Sequence, residues 1–157
     1  MEHPTDPFPP AQASPSLPDV AHPDLRCYLV VRTDLEGLNG GKMASQAGHA
    51  FANTLLVALA THPVRARAYL GAGPAARLRE GQTRITLGGT LAQIARLADE
   101  LEAAGIPHCL VDDAGKTVFE GPTTTCLAFG PIAPEERPTI AKRLRLLPVH
   151  PERTAAS

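Results

Sequence analysis

Five consecutive apolar residues, Cys27-Tyr28-Leu29-Val30-Val31, stand between the charged residues Arg26 and Arg32. A run of β-formers without polar alternation is the pattern of a strand covered on both faces, so it reads as a central strand in a layered sheet. Asp34 to Gly41 then supplies three glycines and an asparagine, a loop that hands over to a helix beginning near Lys42. Strand, loop and helix in this order commit the chain to an α/β architecture.

The helix extends to about Thr61. Placed at 3.6 residues per turn, Ala44, Ala47, Gly48, Phe51, Leu55, Ala58 and Leu59 form an apolar side, and Lys42, Gln46, His49 and Asn53 fall along another. Between Pro63 and Glu80, Gly71, Gly73 and Pro74 leave room for one or two short helical pieces. Thr83 to Leu87 alternates as a second strand. Thr90 and Gln93 match a capping box, Leu91, Ile94, Leu97, Ala98 and Leu101 give the helical stripe behind it, and Gly105 fits the left-handed position past its end. His108 to Val111 and Thr124 to Phe129 complete four strands, and a last helix falls within Pro134 to Arg143. The expectation is a single α/β domain, a four-stranded mixed sheet with helices packed on both faces.

Seven prolines before Asp24 leave too many fixed φ angles and missing donors for regular structure, so residues 1–24 read as a disordered tail. Residues 148–157 have the same character, and the folded unit is expected at 25–147. No apolar segment follows a basic start, and the apolar run from Ala50 to Ala60 is broken by Asn53 and Thr54 and falls short of the roughly 20 residues that cross a bilayer. Cys27, Cys109 and Cys126 are widely spaced in apolar runs, which fits core thiols in a reducing compartment and not a thiolate metal site. The expected location is cytoplasmic. A net charge of -1 excludes a uniformly basic nucleic-acid coat, leaving local basic patches as the means of holding phosphate.

Two segments carry polar groups where apolar strands end, the position at which open α/β sheets assemble sites. The first is Gly40-Gly41-Lys42. It is not a Walker loop, because Glu36 stands where the first glycine belongs and Met43 where Ser or Thr would bind magnesium. A lysine at a helix start opposes the macrodipole, so Lys42 needs a compensating partner; there it could hold a phosphate or steady an oxyanion. The second is Asp112-Asp113-Ala114-Gly115-Lys116-Thr117. Adjacent strand residues point to opposite faces, so only one of the two aspartates enters a given site. A plain hairpin turn explains the same letters without any chemistry.

The ordered set Val30-Val31-Arg32-Thr33-Asp34-Leu35, Gly41-Lys42 with Gln46 and His49-Ala50, Gly81-Gln82, Asp113 to Thr117, and Thr123, Thr125 and Leu127 through Gly130-Pro131 resembles the motifs of the type-two peptidyl-tRNA hydrolases. The resemblance implies cleavage of the ester joining a peptide to the 3′ ribose of tRNA, with no metal and no cofactor. It implicates Lys42, His49, Asp113, Thr117 and Thr125 as catalytic, with Gln46 and Gly115 shaping the site. The chain departs from the family pattern at Ala47-Gly48, where Cys-Ser is usual, at Lys116, where an arginine is usual, and at Gly121-Pro122, where the usual order is reversed. Lysine at 116 keeps the charge and loses the bidentate fork.

On this reading Asp113 orients and partly deprotonates a water, while Lys42 and Thr117 stabilise the oxyanion. A lysine close to Asp113 would lower the carboxylate pKa, so orientation outweighs proton abstraction, and His49 stands as the alternative base. Lys116, Arg84, Lys142, Arg143 and Arg145 are candidate tRNA contacts, together with Arg65, Arg67, Arg77 and Arg79. Peptidyl-tRNA is the expected partner, with pairing into a homodimer as a further expectation. The rival readings are a non-catalytic RNA-binding or interaction module of the same fold, and a hydrolase of another small ester or amide.

Overall fold

The computed structural model describes residues 17–71, 81–115 and 119–147. Its elements run β1 (Arg26–Arg32), α1 (Gly40–Thr61), α2 (Pro63–Leu70), β2 (Arg84–Gly89), α3 (Leu91–Ala104), β3 (His108–Asp113), β4 (Thr123–Ile132), a 3-10 turn (Pro134–Glu136), α4 (Thr139–Arg143) and β5 (Arg145–Leu146). The sheet order is β3-β4-β1-β2-β5, with β1 and β2 parallel and the other three pairings antiparallel. The run that opens the sequence is thus the middle strand, and Cys27 to Val31 are all buried.

Alternation along β1 divides the core. Tyr28 and Val30 face one side with Leu127, Phe129 and the α3 stripe Ile94, Leu97 and Leu101. Leu29 and Val31 face the other with Cys126, Ala128 and Ala50 of α1. Each of the three α3 side chains is fully buried, which is worth about 1.5–3 kcal/mol apiece. The helix is punctuated as its sequence predicts: Thr90 and Gln93 form the capping box, and Gly105 takes φ 65 just beyond Ala104.

Three expectations need correction. The sheet has five strands, because Arg145 and Leu146 add to the free edge of β2 opposite Gly88 and Leu87; two residues are too few to show a strand period. The segment assigned to the N-terminal tail is part of the packed structure from Leu17 onward. Leu17 is buried, its carbonyl lies 3.1 Å from His62 Nε2, and the Asp19 carboxylate accepts from the Val64 and Arg65 N–H groups at the start of α2. The rest of that tail, 1–16, and the segment 148–157 lie outside the described residues. The buried line of α1 is Gln46, Ala50, Thr54 and Ala58, leaving Ala44 and Gly48 exposed; Thr54 is accommodated because its hydroxyl donates to Ala128 O at 3.2 Å. The last helix, α4, falls within the expected Pro134 to Arg143 and starts just after Pro138, with the 3-10 turn ahead of it.

β1, β2 and β3 run in one direction, so their C-terminal ends and the start of β4 share one rim of the sheet. The loop into α1 and the turn after β3 both open on it.

Candidate active site

α1 begins two residues earlier than its lysine. Asn39 is extended at φ -77 and ψ 169, and its side-chain oxygen accepts the Lys42 N–H at 2.9 Å, satisfying one of the orphan donors of the first turn. This cap aims the Lys42 side chain back toward the sheet rim. There Lys42 Nζ forms an ion pair with Asp113 Oδ2 at the end of β3. One turn further on, Gln46 Nε2 donates to the same oxygen at 2.8 Å. The other oxygen, Oδ1, accepts the Gly115 N–H at 2.9 Å.

Gly115 has to be glycine. Its φ is +72, and a Cβ there would stand 2.5 Å from the backbone of Gly121. The turn therefore folds back tightly and presents its amide to Asp113.

The electrostatics follow from these bonds. Lys42 first, and then the Gly115 N–H, hold the Asp113 carboxyl below the usual aspartate range, outweighing the opposing effect of burial. Side-chain exposure is 18% for Lys42 and 8% for Asp113, so the pair is shielded without being sealed. Asp112 leaves the sheet on the other side, exposed, and accepts the Thr124 hydroxyl at 2.6 Å. The separation of the two aspartates expected from strand alternation is realised.

The structure brings Lys42, Gln46, Asp113 and Gly115 together. Thr117 and Lys116 lie outside the described residues, as do Arg77 and Arg79. Thr125 is fully buried, and its hydroxyl donates to Val111 O at 3.1 Å, so its bond is to the strand and not to Asp113. His49 is exposed, and seven residues at 1.5 Å rise place it about 10 Å along the helix from Lys42.

The basic residues divide. Arg65 is only 1% exposed and is spent on Glu136 and on Pro18 O, so it is removed from any surface patch. Arg84 is exposed, but it lies over the Phe51 ring at 4.8 Å and opens β2, about 17 Å of strand from the rim. Lys142, Arg143 and Arg145 are exposed beside β5, the edge opposite β3. Arg67 is exposed on α2.

Sequence reasoning gave no role to Arg32, Asp34 or Asn39. The signal was present: polar residues directly after a buried strand are the ones a sheet rim gathers. Arg32 Nε donates to Asp34 Oδ1 at 2.9 Å, and Asp34 in turn accepts the Leu91 N–H at the start of α3.

Among the described residues no helix is long and apolar enough to cross a membrane. A family model described as Peptidyl-tRNA hydrolase PTH2 matches residues 25–147. The chain is 36% identical over 119 residues to a protein of Haloquadratum walsbyi named peptidyl-tRNA hydrolase, covering 75% of this chain and 96% of that one. Proteins of the same name from Saccharolobus islandicus and Saccharolobus solfataricus are each 32% identical over 112 residues, covering 71% of this chain and 88% of the relative. The match takes in the strand that leads to Lys42, the helix that carries it and the turn that carries Asp113, and on that ground the chain belongs to the PTH2 family of peptidyl-tRNA hydrolases.

Proposed function

We propose that this protein hydrolyses the ester between a peptide, or an N-blocked amino acid, and the 3′ ribose of tRNA, with Asp113 and Lys42 at the reacting centre. The observation that carries this reading is that Lys42, Gln46 and the Gly115 amide converge on one shielded carboxylate. A carboxylate has about four acceptor positions. Three donors among the described residues occupy it, which leaves a position for a water.

In the reaction that water adds to the ester carbonyl carbon, the C–O bond to the ribose breaks, and the water's proton ends on the departing ribose oxygen. Asp113, ionised well below neutral pH, holds the water in line and accepts its developing positive charge more than it removes a proton. Lys42 stabilises the negative charge that builds on the carbonyl oxygen, a role the family resemblance extends to Thr117. Gln46 keeps Asp113 oriented, and Thr125 acts through the β3–β4 pairing. His49 is the alternative base; Asp113 is favoured over it because Lys42 bonds Asp113 directly, whereas His49 is two turns along the helix.

Lys116, Lys142, Arg143 and Arg145 would contact tRNA phosphates near the rim, and Arg84 would serve a more distant part of the path. The protein would act in the cytoplasm, where aborted translation leaves peptidyl-tRNA. The non-catalytic alternative is not favoured, since the chain matches the peptidyl-tRNA hydrolase family model over residues 25–147, Lys42 and Asp113 included.

The test is release of free tRNA from N-acetylated aminoacyl-tRNA by the purified protein, with chelator present. Wild-type turnover should exceed that of Lys42→Ala by about a hundredfold or more. Equal rates would remove Lys42 from the mechanism, and no release by either protein would end the hydrolase reading.

A further inference from the structure

β3 and β4 pair in register from His108 opposite Phe129 to Val111 opposite Cys126, and then the register slips: Asp112 lies opposite Thr124 and Asp113 opposite Thr123. Thr125 is the extra residue, so β4 bulges immediately before the site. Bulges re-aim the side chains that follow them, and a one-residue slip exchanges the two faces of a strand pair. Alternation along β3 already turns Asp113 toward α1; the bulge in β4 brings Thr124 opposite Asp112 and Thr123 opposite Asp113, so it sets what flanks the carboxylate.

It is braced from two sides. Inside, the Thr125 hydroxyl bonds Val111 O. Outside, the Thr124 hydroxyl bonds Asp112 Oδ1 at 2.6 Å, and Arg32 Nη1 donates to Thr124 O at 3.2 Å. Arg32 is itself held rigid, because its Nε bonds Asp34, whose carboxylate caps α3 through the Leu91 N–H. A continuous chain of polar contacts thus runs from the start of α3 across β1 and β4 to the residue next to Asp113.

We infer that Arg32, Thr124 and Asp112 are positioning residues for Asp113: they brace the end of β3 against the bulged start of β4, so that the carboxylate keeps its place against Lys42 and Gln46. This rests on the reading that Asp113 handles the attacking water. A carboxylate displaced by a fraction of an ångström still binds substrate but aligns water poorly, so the loss belongs in kcat.

The experiment compares Thr124→Val, Thr124→Ser and Asp112→Ala with wild type and Asp113→Asn on N-acetylated aminoacyl-tRNA. Thr124→Val should lower kcat about tenfold with KM within about twofold, and Thr124→Ser, which keeps the hydroxyl, should recover most of it. A wild-type kcat in Thr124→Val, a loss confined to KM, or a serine variant no better than valine would overturn the inference. If Thr124→Val does not fold, Asp112→Ala decides, because it alters an exposed residue: a loss of about threefold or more in kcat supports the brace, and an unchanged kcat sinks it. An Asp113→Asn protein as fast as wild type would instead overturn the role given to Asp113 itself.

Discussion

Among the described residues, the ion pairs Arg65–Glu136 and Lys42–Asp113 are both shielded and differ in kind. Arg65 and Glu136 meet through two hydrogen bonds of 2.6 and 3.0 Å, the remaining guanidinium contacts go to Pro18 O, and Glu136 also accepts the Ala133 N–H at 2.7 Å. Its planar fork is matched and consumed. Lys42 and Asp113 meet at the sheet rim through a compact, rotatable ammonium, and Gln46 and the Gly115 amide complete three donors to that carboxylate. The first pair ties the N-terminal strap to α2 and to the turn after β4. The second is the pair proposed above to carry the reaction. Burial and charge alone do not separate the two pairs; their places in the fold do, one inside the packing of α2 against the turn after β4 and one at the rim where the parallel strands end.

The largest expected contrast tests this directly. Asp113→Asn should lower kcat by about a hundred- to a thousandfold and leave the unfolding free energy within about 1 kcal/mol. Arg65→Ala should do the reverse, costing about 2–3 kcal/mol in denaturant unfolding because Glu136 loses its partner, with kcat per folded molecule nearly unchanged. If Arg65→Ala proves inactive while fully stable, the distinction collapses.

A smaller effect sharpens it. Lys42→Arg keeps the charge but replaces an ammonium with a fork that would occupy both Asp113 oxygens, so kcat should fall about tenfold despite charge retention. Full activity in this variant would mean that charge alone is required.

Both carboxylates also make the same pH prediction. Asp113 is held low by Lys42 and the Gly115 N–H; burial pushes Glu136 up, but Arg65 and the Ala133 N–H outweigh it and leave it lowered. A carboxyl whose folded pKa is depressed adds stability that is complete above its unfolded pKa of about 4 and disappears as pH falls through the folded value. Thermal midpoints should therefore be insensitive to these groups from about pH 5 to 8 and drop below about pH 4, with the acid limb of kcat in the same low range. A kinetic limb that disappears in His49→Ala would transfer the base role to His49. Otherwise that variant should stay within about threefold of wild type, the least of these effects.

Local signals were legible because local physics produces them. The apolar run of β1, the capping box of α3 and the glycine after it depend on neighbours within about four positions, and all three appear where the sequence places them. The turn after Asp113 was equally readable, since a glycine at positive φ and an Asx hydrogen bond are properties of three adjacent residues. The face of α1 was misjudged because Gln46 and Thr54 look like surface residues until Asp113 and Ala128 O are there to satisfy them. β5 was missed because an edge strand of two residues exists only through its pairing with β2.

By itself, then, the sequence determined the α/β class, the strand and helix that lead to Lys42, the turn that holds Asp113, and the family to which the chain belongs. Only the tertiary structure decided that Gln46 donates to Asp113, 67 positions away, on the oxygen that also meets Lys42, that Arg65 is buried and not a surface cation, and that Thr125 is the bulged residue. The reason is range. Propensity and periodicity report what each segment does with its own backbone, whereas the meeting of distant polar groups is set by strand order and register, which arise only when the whole hydrophobic core closes.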